Sequence, residues 1–107
     1  MTSLITAAAL YTGHVTVKER CHDFNCRVVK RFKNQPCRIS FDGTRAESFG
    51  NSWWMRQFMW GAQDGFHGVN NRITLTMFYK EKRLRVAYIS DYDDKSDIDY
   101  DRWTCEF

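Results

Sequence analysis

The sequence predicts an α+β fold: an antiparallel sheet of about five strands with one main amphipathic helix, about residues 45–60, packed on one face. Three observations predict it. β-branched and polar residues take turns through His14–Arg20, and Cys26–Lys33 and Cys37–Phe41 read as two further strands. Thr44-Arg45-Ala46-Glu47 has the capping-box pattern and opens a long apolar segment. Two β-rich runs, Arg72–Lys80 and Arg83–Ser90, flank the pair Glu81-Lys82.

Residues 2–12 read as a short segment, helical or extended, with Thr2 and Ser3 as caps and Gly13 as its end. His14–Arg20 reads as a strand, Cys21–Asn25 as a loop, and Cys26–Lys33 as a second strand. Unbroken alternation would place Cys26, Val28, Lys30 and Phe32 on one face and Arg27, Val29, Arg31 and Lys33 on the other. Asn34–Pro36 reads as a turn and Cys37–Phe41 as a third strand, ended by Asp42-Gly43.

In the expected helix, Phe49, Trp53 and Trp60 stand four and seven residues apart on one face. Trp54, Met55, Phe58 and Met59 widen the apolar surface beyond a single stripe. Gly65, Gly68, Asn70 and Asn71 mark a loop. In the following hairpin, a two-residue turn would set Tyr79 by Leu84, Met77 by Val86 and Leu75 by Tyr88 on one face. Thr74, Thr76, Phe78, Arg85, Ala87 and Ile89 would take the opposite face. Glu-Lys is not a favoured two-residue turn pair, so a four-residue loop is the alternative. Residues 91–101 read as an acidic loop, and Trp103 or Phe107 as an anchor for the end of the chain.

With 107 residues the chain fits one domain, 1–107, too short for a dinucleotide-binding domain plus a substrate domain. A composition of 43% hydrophobic and 16% aromatic residues can build a core, which excludes disorder throughout. The net charge of +3 hides a division. Residues 1–90 carry 14 Lys+Arg against 6 Asp+Glu, while residues 91–107 carry 2 against 7. The two parts amount to +8 and −5, a segregation that suggests partners for one or both surfaces. No apolar run is long enough for a transmembrane helix, and no basic n-region precedes the apolar start. A membrane partner is therefore not expected, and a cytoplasmic location is.

Four cysteines without a secretory leader are expected to be reduced, with Cys26 and Cys37 facing the core. An oxidised Cys21–Cys26 pair bridging two strands is the alternative. Cys21, His22, Cys26, Cys37 and Cys105 are the candidate metal ligands, but only Cys21 and Cys26 are closely spaced. A metal module on Cys21, His22 and Cys26 is kept as a third functional class, and no cofactor is expected. His22 adjoins Cys21, and residues so close in a strand or turn point apart; His14 and His67 lie elsewhere. No catalytic motif surrounds any of them, so an enzyme is not expected.

Asp97-x-Asp99-x-Asp101 matches the first three ligands of a calcium loop, but Arg102 stands where the turn glycine is required. The acidic segment has a second reading. Asp91, Asp93, Asp94, Asp97 and Asp99, with Tyr92 and Tyr100, would imitate a phosphate backbone and dock a basic groove on a protein partner. The plain alternative is a solvated loop. The basic candidates are Arg27, Arg31 and Lys33 on one strand, Arg38 on the next, and Lys80, Lys82, Arg83 and Arg85 at the hairpin tip. They would track phosphates or an acidic partner, or would merely blunt exposed edges.

In size and opposed charge patches the chain is similar to small phage-encoded anti-defence proteins, including anti-CRISPR proteins. The resemblance is one of style, with no shared motif and no residue carried over. It implies a non-enzymatic inhibitor that blocks a nucleic-acid-handling complex by surface contact. A nucleic-acid-binding domain using a basic sheet face is the alternative.

Overall fold

The computed structural model describes residues 8–107. Those residues form nine antiparallel strands in one barrel-like sheet, with no helix. In chain order they are β1 (Ala9–His22), β2 (Asn25–Phe41), β3 (Arg45–Ser48), β4 (Asn51–Trp54), β5 (Arg56–Trp60), β6 (Gln63–Asn70), β7 (Ile73–Lys80), β8 (Arg83–Tyr92) and β9 (Asp99–Glu106). The spatial order is β4-β3-β2-β1-β9-β8-β7-β6-β5.

The two ends of that order, β4 and β5, are consecutive in sequence and separated by Met55 alone. β4 pairs with β3, and β5 pairs with β6. One bent segment thus bridges both ends of the sheet and nearly closes it into a barrel, which leaves few free edges. Asn70 Nδ2 donates to the Ser52 carbonyl at 2.7 Å, and Trp53 Nε1 to the Ile73 carbonyl at 3.0 Å, across the closing seam.

The expected helix over 45–60 is therefore corrected to three strands. Burial there has period two: Ala46, Ser48, Trp53 and Met55 are buried, while Glu47 and Trp54 are exposed. Phe49 and Gly50 hold φ of 48° and 75°, a tight left-handed turn that no helix contains. The supposed cap belongs to Asp42, whose Oδ1 accepts from the Thr44 and Arg45 amides at 2.8 and 2.7 Å. Tertiary pairing here overrides a helical spacing of aromatics that are themselves good strand formers.

Other boundaries shift for related reasons. β1 takes in Ala9–Gly13 from the segment at 2–12, whose residues 2–7 lie outside the described ones. The turn expected at Asn34–Pro36 is part of β2. Over residues 25–39 that strand pairs only with β1, and an open-edged strand tolerates a proline. The loop expected around Gly65 and Gly68 is β6, where a side chain would collide with neighbours. A Cβ on Gly65 would strike the Met77 carbonyl, and one on Gly68 would lie 2.6 Å from Met55 Sδ. Asp91 and Tyr92 extend β8, and residues from Asp99 onward form β9, a central strand between β1 and β8.

The β7–β8 hairpin keeps the predicted pair Tyr79–Leu84 across a two-residue turn, with Glu81 and Lys82 at φ 56° and 62°. A bulge beyond that pair shifts the rest by one residue. Met77 faces Ala87, Leu75 faces Ile89 and Thr76 faces Tyr88. Ala87 and Ile89, not Val86 and Tyr88, therefore join Leu75, Met77 and Leu84 in the core. Val15, Ile39, Phe41, Ala46 and Trp53 fill the rest of the barrel.

All four cysteines are paired, Cys21–Cys26 and Cys37–Cys105. This corrects the expectation of reduced thiols, and no thiolate is left to ligate a metal. Cys37 is buried in the core, but Cys26 is half-buried on the opposite face of the sheet.

Candidate binding surface

The molecule measures 51 × 31 × 31 Å. β2, β1, β9 and the end of β8 run past the barrel core as a four-stranded extension. Cross-strand register arranges its side chains in rows. Ile89, Trp103, Lys18 and Lys30 form one row across β8, β9, β1 and β2. Asp91, Asp101, Arg20 and Arg27 form another on the same face as the core. Ser90, Arg102, Glu19 and Val28, and then Tyr92, Tyr100, Cys21 and Cys26, occupy the opposite face.

These rows bring together the two charge blocks that the sequence keeps apart. At the β1–β9 seam Arg20 Nε donates to Asp101 Oδ1 at 3.2 Å, and Lys18 Nζ lies 3.8 Å from Asp101 Oδ2. His22 Nδ1 lies 2.7 Å from Asp99 Oδ1, and on the other face Arg102 Nη2 donates to Glu19 Oε1 at 3.1 Å. The His22 ring, then the Ser96 hydroxyl, hold the Asp99 carboxyl below its ordinary range. Arg72 approaches Asp94 at 3.8 Å and donates to the Ser96 and Tyr92 carbonyls.

The acidic surface is thus partly consumed within the chain. Asp94 and Asp101 have cationic partners and Asp99 is hydrogen-bonded to the His22 ring, while Asp91, Asp93 and Asp97 form no ion pair among the described residues. Tyr92 and Tyr100 stack against each other with centroids 4.7 Å apart, and the Tyr100 hydroxyl donates to the Asp23 carbonyl at 2.9 Å. Asp23 in turn donates its amide to the Ile98 carbonyl at 2.7 Å, so the acidic loop is tied to the β1–β2 turn. That end encloses an open cavity of about 770 Å³ between cationic and acidic walls, Arg20 and Arg27 against Asp91 and Asp93.

The basic candidates stand differently. Arg27, Lys30, Arg31, Lys33 and Arg38 are all exposed on β2 and form no ion pair among the described residues. Arg27 and Arg31 do not share a face as strict alternation implied. An extra residue at Val29 leaves Arg27 opposite Arg20 on the core side, while Arg31 faces Val17 on the other. What they share is the outer edge of β2. Lys80, Lys82, Arg83 and Arg85 form a second exposed basic group at the β7–β8 turn, at the barrel's other end.

Sequence reasoning missed Lys18, Arg20 and Trp103 as parts of this surface. Their assembly depends on β9 inserting between β1 and β8, which no local pattern announces. The chain matches no family model, no curated protein and no solved structure.

Proposed function

We propose that this is a non-enzymatic binding protein whose open basic edge on β2 sits on nucleic-acid phosphates and blocks their use by a nucleic-acid-handling complex. One observation carries the reading. The β2 cations lack carboxylate partners among the described residues along an edge with no neighbouring strand, whereas three of the six aspartates in 91–101 are engaged by Arg72, by the His22 ring, or by Lys18 and Arg20. Cations left without counter-charges attract a polyanion and release its counterions. The competing account is that they only discourage edge-to-edge pairing.

Fluorescence anisotropy with random-sequence oligonucleotides separates the two. The proposal expects binding that weakens steeply with salt and is lost when Arg27, Arg31 and Lys33 are all replaced by alanine. The log–log salt slope should fall by about 0.7–0.9 for each phosphate contact removed. No salt-sensitive binding by the wild type, or an undiminished triple variant, overturns it. Capture of interacting proteins from the native host then identifies the complex.

The paired cysteines bear on compartment. Disulfides persist where the environment is oxidising, which favours such a compartment over the expected cytosol. Counting free thiols in acid-quenched native material decides between them.

A further inference from the structure

A second cavity, of about 390 Å³, opens at the mouth of the barrel. Val15, Phe32, Phe49, Ile73, Ile89 and Trp103 form its apolar wall. Its volume falls in the range of small-molecule sites, about 300–1,000 Å³, and barrel mouths are a common place for them. Two features beside it suit a charged, apolar occupant. Lys18 and Lys30 stand directly opposite each other across β1 and β2, a like-charge pairing that weakens a sheet. Lys18 Nζ lies 5.0 Å from the Trp103 ring centre and Lys30 Nζ 4.9 Å from that of Phe32, so each lysine rides over a ring of the cavity wall. Asp101 offsets Lys18, but Lys30 has no carboxylate partner among the described residues. The other feature is Phe49, a bulky residue held at φ 48° in the β3–β4 turn, at the cavity yet 53% exposed.

We infer that this cavity takes the chain of a single-tailed carboxylate amphiphile, with the carboxylate between Lys18 and Lys30. The tail would cover the exposed face of Phe49 and lie against Ile73, Ile89 and Trp103. The carboxylate would relieve the Lys18–Lys30 repulsion with charge-assisted hydrogen bonds. Asp91, also in the wall, belongs to the β8 side, separated from Lys18 by β9, and it disfavours a headgroup placed there.

Calorimetric titration with dodecanoate below its micellar concentration tests this. The wild type should bind one dodecanoate per chain, saturably. Lys30→Glu, an exposed position without an ion pair, should weaken that binding by about tenfold or more, equivalent to about 1.4 kcal/mol. Dodecanol, with the same tail and no charge, should bind both proteins alike. Circular dichroism checks that the variant remains folded, and Lys30→Ala, which should show a smaller loss of the same kind, provides the second reading. Absence of saturable dodecanoate binding by the wild type overturns the inference. So does equal dodecanoate affinity in wild type and Lys30→Glu, or tighter wild-type binding of dodecyltrimethylammonium. Co-sedimentation with anionic phospholipid vesicles in the absence of monomeric dodecanoate binding also overturns it. None of these readouts depends on Arg27, Arg31 or Lys33, so the inference stands or falls apart from the proposed phosphate binding.

Discussion

Arg20 and Asp101 lie 81 residues apart in sequence and face each other across β1 and β9, with the guanidinium Nε 3.2 Å from the carboxylate. This contact joins the basic and acidic parts of the chain. Both side chains are partly solvated, so the pair adds little stability. A double-mutant cycle through Arg20→Ala and Asp101→Ala should give a coupling of about 0.5–1 kcal/mol that shrinks as salt is added. Urea denaturation at low and high ionic strength measures it.

The two disulfides should contribute unequally. Cys37–Cys105 closes a separation of 68 residues and Cys21–Cys26 one of 5. On the chain-entropy account, removing the first costs roughly 4 kcal/mol and removing the second roughly 2 kcal/mol. Thermal denaturation of the paired serine variants should show the larger loss for Cys37→Ser/Cys105→Ser. Peptide mapping without reduction checks the pairing itself.

Glu81 and Lys82 both adopt left-handed backbone without being glycine or asparagine. Replacing them by Asn-Gly, which suits such a turn, should raise stability by about 1 kcal/mol. For a domain of this size that is a rise in Tm of roughly 4–8 °C. No change in Tm would contradict the turn geometry.

Gly65 lies between Phe58 of β5 and Phe78 of β7, and these rings meet edge to face at 5.5 Å across it. A Cβ there would strike the Met77 carbonyl and come within 2.7 Å of the Phe58 ring. Gly65→Ala should therefore cost about 1–3 kcal/mol through overpacking, read as a lower midpoint in urea.

Asp99 is held below its ordinary range in the folded chain by His22 and then Ser96. A carboxyl with a lowered folded pKa favours folding above its unfolded pKa of about 3.9, and that contribution is lost as pH falls through the lower folded value. Asp99→Asn should flatten the acid limb of the stability curve below about pH 4, followed by denaturant midpoints across pH. An unchanged acid limb would show that the His22 contact is not formed in solution.

Parts of this arrangement could be read from the residues. The β-branched and polar residues of His14–Arg20 mark a strand, and the runs on either side of Glu81-Lys82 mark a hairpin, because extended backbone leaves a local signature in residue type and alternation. The 45–60 segment misled because Thr44 with Glu47, and Phe49 with Trp53, satisfy helical spacing by coincidence. The left-handed turn at Phe49-Gly50 that splits the segment leaves no stronger local mark than one glycine. Bulges at Val29 and after Phe78 were invisible for a different reason. One unpaired residue changes no composition, yet it turns every side chain beyond it to the other face.

By itself the sequence determined several of the strands, the hairpin around Glu81-Lys82, and a chain divided between basic and acidic parts. The tertiary structure decided the all-β closure, the cysteine pairing, and which charges remain available. The physical reason is range. Alternation and turn chemistry act between near neighbours, but Asp101 meets Arg20 and Cys105 meets Cys37 only because β9 lies beside β1, and Lys30 stays without a carboxylate partner because it faces Lys18 on a β2 stretch with no strand on its outer side. The division of charge remains a fact of the chain, while its availability to a partner is a fact of the fold.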